Sequence, residues 1–253
     1  MTPRRGVRPK ESKTEPPLPI WHEWLVGVEL AFLRLSPLYW GYGVPRGDGS
    51  AVILVPGFLS TDLYLTQFRS WLRRIGYEAF YSGIQLNADC PNLLIRRQLN
   101  DSIQQAYKAT GGKIHLIGHS LGGSIALAAA SQIPDRVASV ITLAAPIRGV
   151  AGHASILFAA DLVREQILEK HGQGVLPTCY TSRCTCDFLE SLKGKLPRSV
   201  RQTAIYTKND GIVDWHVCRT GDPAVDVEVS ATHLGMVFSP LVYNVVAHRL
   251  ARE

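Results

Sequence analysis

The chain has 253 residues, of which 46% are apolar and 19% charged, with a formal net charge of +6. These values describe one globular domain with a sizeable core and exclude chain-wide disorder. The 22 glycines and 15 prolines, with no internal repeat, exclude collagen-like and low-complexity architectures.

Arg4, Arg5, Arg8, Lys10 and Lys13, set against Glu11 and Glu15, place half of the net charge in the first fifteen residues. The remaining body lacks the gathered basic face that a nucleic-acid groove requires, so no nucleic-acid partner is expected. Residues 1–19 read as a basic, Pro-rich tail without the apolar core of a secretory signal. The following segment, 20–40, is interrupted by His22, Glu23, Glu29, Arg34 and Pro37 and is too polar for a membrane span. Together these features favour a cytoplasmic location.

Trp21, Trp24, Leu25, Val28, Phe32 and Leu35 fall on one helical stripe, which predicts a helix packed by that stripe on the domain. Beside a basic tail, the same stripe also suits peripheral contact with an anionic membrane surface. Residues 20–50 thus form an N-terminal helix and linker, and 51–253 the main domain.

Along that domain, strands are predicted at 51–55, 78–81, 113–118, 136–143, 203–207 and 225–230. Helices are predicted at 63–75, 93–110, 121–132, 155–171 and 239–251. Alternating strands and helices imply right-handed βαβ crossovers and an open, mostly parallel, doubly wound sheet. Residues 147–197 interrupt the alternation as a helical insertion. In such sheets ligands bind beyond the carboxyl ends of the strands, so chemistry is sought there.

Gly118-His119-Ser120-Leu121-Gly122 follows a predicted strand and opens a helix. This is G-x-S-x-G in the context that raises a serine hydroxyl clear of a sheet on a strained turn. A serine hydroxyl is a weak nucleophile and needs a base, which needs an orienting acid. The chain order expected for this constellation is Ser, acid, His.

Histidines 153, 171, 216, 233 and 248 follow Ser120. His233 lies on the loop after the last predicted strand and is the chosen base. Asp210 and Asp214 compete as the acid on the preceding strand-end loop. Asp210 is favoured because it comes first after the strand and precedes Gly211, although Asn-Asp-Gly also suits an ordinary turn. The oxyanion donors are the amides of Leu121 and Phe58, with Leu59 the alternative to Phe58, since Pro56 has no N–H. Phe58, Leu59 and His119 are the expected substrate contacts.

The segments VILVPGF (52–58), LIGHSLGG (116–123), VITLAAP (140–146), IYTKNDGIVDW (205–215) and THLGMVFSP (232–240) resemble the α/β-hydrolase superfamily, in its bacterial lipase/esterase-like branch. The resemblance implies the α/β-hydrolase fold over 51–253, with 147–197 as a cap or lid. It implies cofactor-free ester hydrolysis with Asp210 as the acid. Some lipases of this kind hold a structural calcium, whose ligands do not map onto this chain. Many have His-Gly at the oxyanion loop where this chain has Pro56-Gly57, so the support of that loop must differ.

Ile156, Leu157, Ala160, Val163, Ile167 and Leu168 give the insertion's helix an apolar stripe suited to covering an acyl chain or packing on the domain's flank. Cys179, Cys184, Cys186 and Cys218 fit disulfides between insertion and acid loop as well as free thiols, and show no standard zinc spacing. The expected activity is serine carboxylic-ester hydrolysis of apolar acyl esters through an acyl-enzyme. An acyltransferase or thioesterase would use the same triad, and a non-catalytic or membrane-surface binding protein would use the same scaffold.

Overall fold

The computed structural model describes residues 18–171 and 186–251. The basic tail before Leu18, together with Cys179 and Cys184, lies outside the described residues. The strands are β1 (Ala51–Val55), β2 (Glu78–Tyr81), β3 (Ile114–His119), β4 (Val137–Leu143), β5 (Arg201–Tyr206) and β6 (Asp226–Glu228). They form one sheet in the order β2-β1-β3-β4-β5-β6, and every pairing is parallel.

The β-branched and aliphatic run of β1 is buried along its whole length, as a central strand covered on both faces must be. Its residues alternate between two cores. Val52 and Leu54 join Phe68, Trp71, Ile75 and Tyr243 on one face. Ala51, Ile53 and Val55 join Ile103, Ile125 and Ala129 on the other.

Helices α2 (Thr66–Ile75) and α8 (Pro240–Leu250) cover the first face. Helices α4 (Asn100–Thr110) and α5 (Leu121–Gln132) cover the second. α4 continues a short α3 (Pro91–Leu94) through a π turn over Ile95–Leu99. α5 is buried from Gly122 to Ala130, which explains its small, apolar composition. The chain leaves β1 toward β2 on one side and returns to β3 on the other. The crevice between the ends of β1 and β3 is therefore the topological switch point.

Predicted strand ends move by at most two residues, and only β6 is halved in length, to Asp226–Glu228. The insertion carries α6 (Ala154–His171) and a second helix not predicted above, α7 (Asp187–Lys193). DFLESLK is too short to show periodicity. Its Phe188 is buried in the second core, so tertiary packing makes this helix.

The N-terminal segment departs most from expectation. A 3₁₀ turn (Ile20–Leu25), α1 (Val26–Leu35) and a second 3₁₀ turn (Pro37–Trp40) strap across the first face of the domain. The aromatic stripe points outward: Trp21 is 62% exposed, Trp24 66% and Phe32 65%. Glu23 and Leu33 are buried instead. The expected packing of the stripe on the domain is thus reversed, because buried backbone amides at the sheet's end recruit the glutamates inward. No described helix is long and apolar enough to cross a membrane.

Candidate active site

Ser120 stands between β3 and α5 with φ 53° and ψ −130°. A non-glycine residue held there stores about 1–3 kcal/mol of backbone strain. Leu59 (φ 55°) and Ala144 (φ 47°) share that left-handed region, so the loops after β1, β3 and β4 are all kinked at the same end of the sheet. The elbow presses against the β1 loop. A Cβ on Gly122 would run into the carbonyls of Val55 and Pro56, and one on Gly57 would lie 3.2 Å from Ser120 Cβ.

The structure brings His233 and Asp210 together. His233 Nδ1–H donates to Asp210 Oδ2 at 2.7 Å, and both side chains are almost wholly buried. Asp210 Oδ1 accepts from the amides of Ile212 (2.9 Å) and Val213 (2.7 Å), which fixes the carboxylate. With Nδ1 so engaged, Nε2 is the nitrogen left for the serine. Burial opposes charge on His233, but the neighbouring Asp210 and then Glu23 carboxylates hold its pKa above the ordinary imidazole value.

Asp214 is occupied elsewhere. Its Oδ1 caps the turn Trp215–Cys218 through the His216 amide (2.9 Å) and accepts from His216 Nδ1 (2.8 Å). His248 bonds its own helix at the Asn244 carbonyl, and His171 contacts Asp89.

His119 is buried with its ring centre 4.9 Å from that of His233. Its Nε2–H donates to the His233 carbonyl at 2.9 Å. Burial, and then the neighbouring His233 charge, depress its pKa to about 3, so His119 stays neutral. Tyr64 completes this side, its hydroxyl donating to the Leu234 carbonyl at 2.6 Å.

In the loop after β1, the Leu59 amide is spent on the Asn87 carbonyl (2.9 Å). That leaves the Phe58 amide, which with the Leu121 amide has no hydrogen-bond partner among the described residues. Asn87 supplies the support that Pro56-Gly57 requires. Its Nδ2 donates to the Pro56 carbonyl (2.8 Å) and its amide to the Ser60 carbonyl (2.9 Å). The Phe58 side chain packs against a buried cluster of Cys90, Val163 and Ile167, which Leu93 and Leu168 also flank.

The acid loop is also bound to the root of the insertion. Gly152 and Val213 form an antiparallel bridge, the His153 amide donates to the Ile212 carbonyl (2.7 Å), and the Asp214 amide to the Ala151 carbonyl (3.0 Å). Cys218 is a buried free thiol, so no disulfide ties the insertion to this loop through it. Burial, and then the Asp210 and Asp214 charges, raise its pKa and keep it unreactive. Among the described residues no group of three or more His, Cys, Asp and Glu side chains offers a calcium or zinc site.

Several residues that hold the site carry no sequence motif. Asn87 and Tyr64 lie on loops and turns with ordinary composition. Glu23 and Glu29 read as interruptions of an apolar segment. Their inward placement comes from distant amides that they bond, and no local pattern marks it.

The description "alpha/beta hydrolase fold" fits residues 95–169, where the corresponding family model matches. Over 108 residues the chain is 39% identical to a triacylglycerol lipase from Pseudarthrobacter phenanthrenivorans, covering 39% of this chain and 33% of that one. It is also 39% identical over 108 residues to a triacylglycerol lipase from Burkholderia plantarii, covering 30% of it. The chain therefore spans about a third of the length of these curated relatives.

Among solved structures it is similar to the metagenome-derived lipolytic enzymes LipS and LipT, with TM-score 0.55, 13% identity, and 83% of this chain and 96% of that one covered. It is similar to carboxylesterase CesB from Bacillus subtilis, with TM-score 0.50, 12% identity, and 91% and 97% covered. The all-parallel six-stranded sheet, the strained serine at its switch point and these likenesses agree: the chain has the alpha/beta hydrolase fold.

Proposed function

We propose that the chain is a serine carboxylic-ester hydrolase acting on apolar acyl esters through an acyl-enzyme. The observation that carries the reading is the buried His233–Asp210 pair, with its imidazole 4.9 Å, ring centre to ring centre, from His119, the residue before a serine held in a strained elbow. Ser120 Oγ attacks the ester carbonyl while Nε2 of His233 takes its proton. The Phe58 and Leu121 amides stabilise the oxyanion. Collapse expels the alcohol, which takes the proton from the imidazolium. Water, activated by the same nitrogen, then releases the acid and frees Ser120.

Phe58 and Leu59 contact the acyl group; His119, expected beside them as a substrate contact, is instead buried with Nε2 on the His233 carbonyl and acts from behind through that backbone. Preference for apolar acyl chains is supported by the cluster of Phe58 with Val163, Ile167 and Leu168 of α6.

A fluorophosphonate probe and a chain-length series of p-nitrophenyl esters test the reading. The account expects one covalent adduct and turnover of medium acyl chains. Transfer of the acyl group to an added alcohol or thiol in preference to water would assign an acyltransferase instead.

A second reading concerns the outward aromatic face. Trp21, Trp24, Phe32 and Leu35 are exposed on one side of the strap, preceded in sequence by the basic tail. Indole rings and cationic side chains suit the interface of an anionic bilayer. This supports peripheral membrane contact. Sedimentation with phosphatidylserine-containing vesicles, lost on Trp21→Ser plus Trp24→Ser with soluble-ester hydrolysis unchanged, is the expected outcome.

A further inference from the structure

The acid and base loops are held together from a side that the reaction scheme does not use. Glu23 is buried, with 5% of its surface exposed. Its Oε1 accepts from the Gly211 amide (2.9 Å), in the acid loop, and from the His233 amide (3.2 Å), in the base loop. Its Oε2 accepts from the Leu234 amide at 2.8 Å. One carboxylate thus joins the residue after Asp210 to His233 itself.

Burying a carboxylate is costly unless its oxygens are bonded, and three amide donors meet that need. Two further contacts from the same strap reinforce the arrangement. The Leu18 amide donates to the Asp210 carbonyl (3.2 Å). Glu29 accepts from the Thr232 amide (2.8 Å) and hydroxyl (2.7 Å).

We propose that Glu23 is a positioning residue for the triad, setting Asp210 and His233 against each other and adding a second negative charge beside the imidazolium. This inference rests on the ester-hydrolase reading above. The ionisable and charged groups that face His233 are Asp210, Glu23 and neutral His119, with Glu29 behind Thr232 and Tyr64 behind Leu234. Only Asp210 and Glu23 bond His233 with a negative charge. Removing the Glu23 charge therefore lowers the pKa of the base. Since His233 must be neutral to accept the serine proton, the acidic limb of the kcat/KM profile moves to lower pH.

The test compares wild type, Glu23→Gln, Glu23→Asp and Ser120→Ala on p-nitrophenyl butyrate across pH 4–9, with thermal melting of each. Glu23→Gln is expected to lower kcat about ten- to a hundredfold at neutral pH, as loss of a partner that orients an active-site group does. KM should change less than kcat, and the acidic limb should shift down. Glu23→Asp keeps the charge on a shorter arm, so it should lower kcat while leaving the limb near its wild-type position.

Wild-type kcat and an unmoved limb in Glu23→Gln, alongside an inactive Ser120→Ala, would overturn the inference and leave the hydrolase reading standing. Activity in Ser120→Ala would instead overturn the hydrolase reading itself. Should Glu23→Gln fail to fold, Glu23→Asp decides: full kcat in a folded Glu23→Asp contradicts the inference, and reduced kcat with an unshifted limb supports it.

Discussion

The loop carrying His233 and helix α6 are held in opposite ways. Between Thr232 and Leu234, amides, carbonyls and side chains are bonded to Glu29, Glu23, His119, Tyr64 and Asp210. Helix α6 buries only Val163 and Ile167 and closes with Lys170 and His171 against Asp89. Leu157, Phe158 and Leu162 remain exposed along it. The difference separates two demands on one site. Proton transfer needs a fixed geometry, which only an over-determined loop supplies. Recognition of an acyl chain tolerates looser packing, and elements that admit ligands are drawn from the less stable parts of a fold.

The comparison breaks most sharply at the acid. Asp210→Asn keeps the shape but favours the wrong His233 tautomer, and should lower kcat by about 10⁴-fold, as loss of a triad acid does. Asp214→Asn, which alters a cap and a partner of His216, should retain most activity. Steady-state kinetics on a soluble ester measures both, and equal losses would move the acid role away from Asp210.

Next in size is Asn87→Ala. It frees the Pro56 carbonyl and loosens the loop that presents the Phe58 amide, so kcat should fall by about a hundredfold, the scale of one misplaced oxyanion donor. Melting temperature should change modestly, and an unchanged kcat would contradict the loop-support role.

The smallest effect belongs to α6. Leu168→Ser, in the apolar cluster that Phe58 packs against, should leave kcat for p-nitrophenyl acetate within about twofold and shift the optimum of the ester chain-length series, since apolar pocket contacts discriminate by roughly 1–3 kcal/mol per methylene. A large loss on acetate would show that α6 belongs to the rigid machinery instead.

Much of this was legible in the chain. The β1, β2 and α5 boundaries match the patterned segments because each is covered on the faces its pattern announces. Ser120, Asp210 and His233 are proposed from position, on the loops after β3, β5 and β6, and from the chain order of their chemistry; of these the structure pairs Asp210 with His233. The proposed amide donors come from which loop positions carry an N–H, and the Leu59–Asn87 bond favours Phe58 over Leu59 in that proposal.

The strap was misjudged for a physical reason. Periodicity reports which residues share a face, and hydrophobicity then predicts that the face is buried. Here the buried surface offers unpaired amides of 211, 233 and 234, which carboxylates satisfy and indoles do not. That preference lies in tertiary contacts with residues some 190–210 positions away, and no local pattern encodes it.

The most direct test of the account is covalent labelling of the folded chain by a fluorophosphonate, with the modified residue located by peptide mass spectrometry. The account predicts a single adduct on Ser120, abolished by Ser120→Ala and greatly slowed by His233→Ala. An adduct on another residue, or labelling of Ser120→Ala at the wild-type rate, would contradict it.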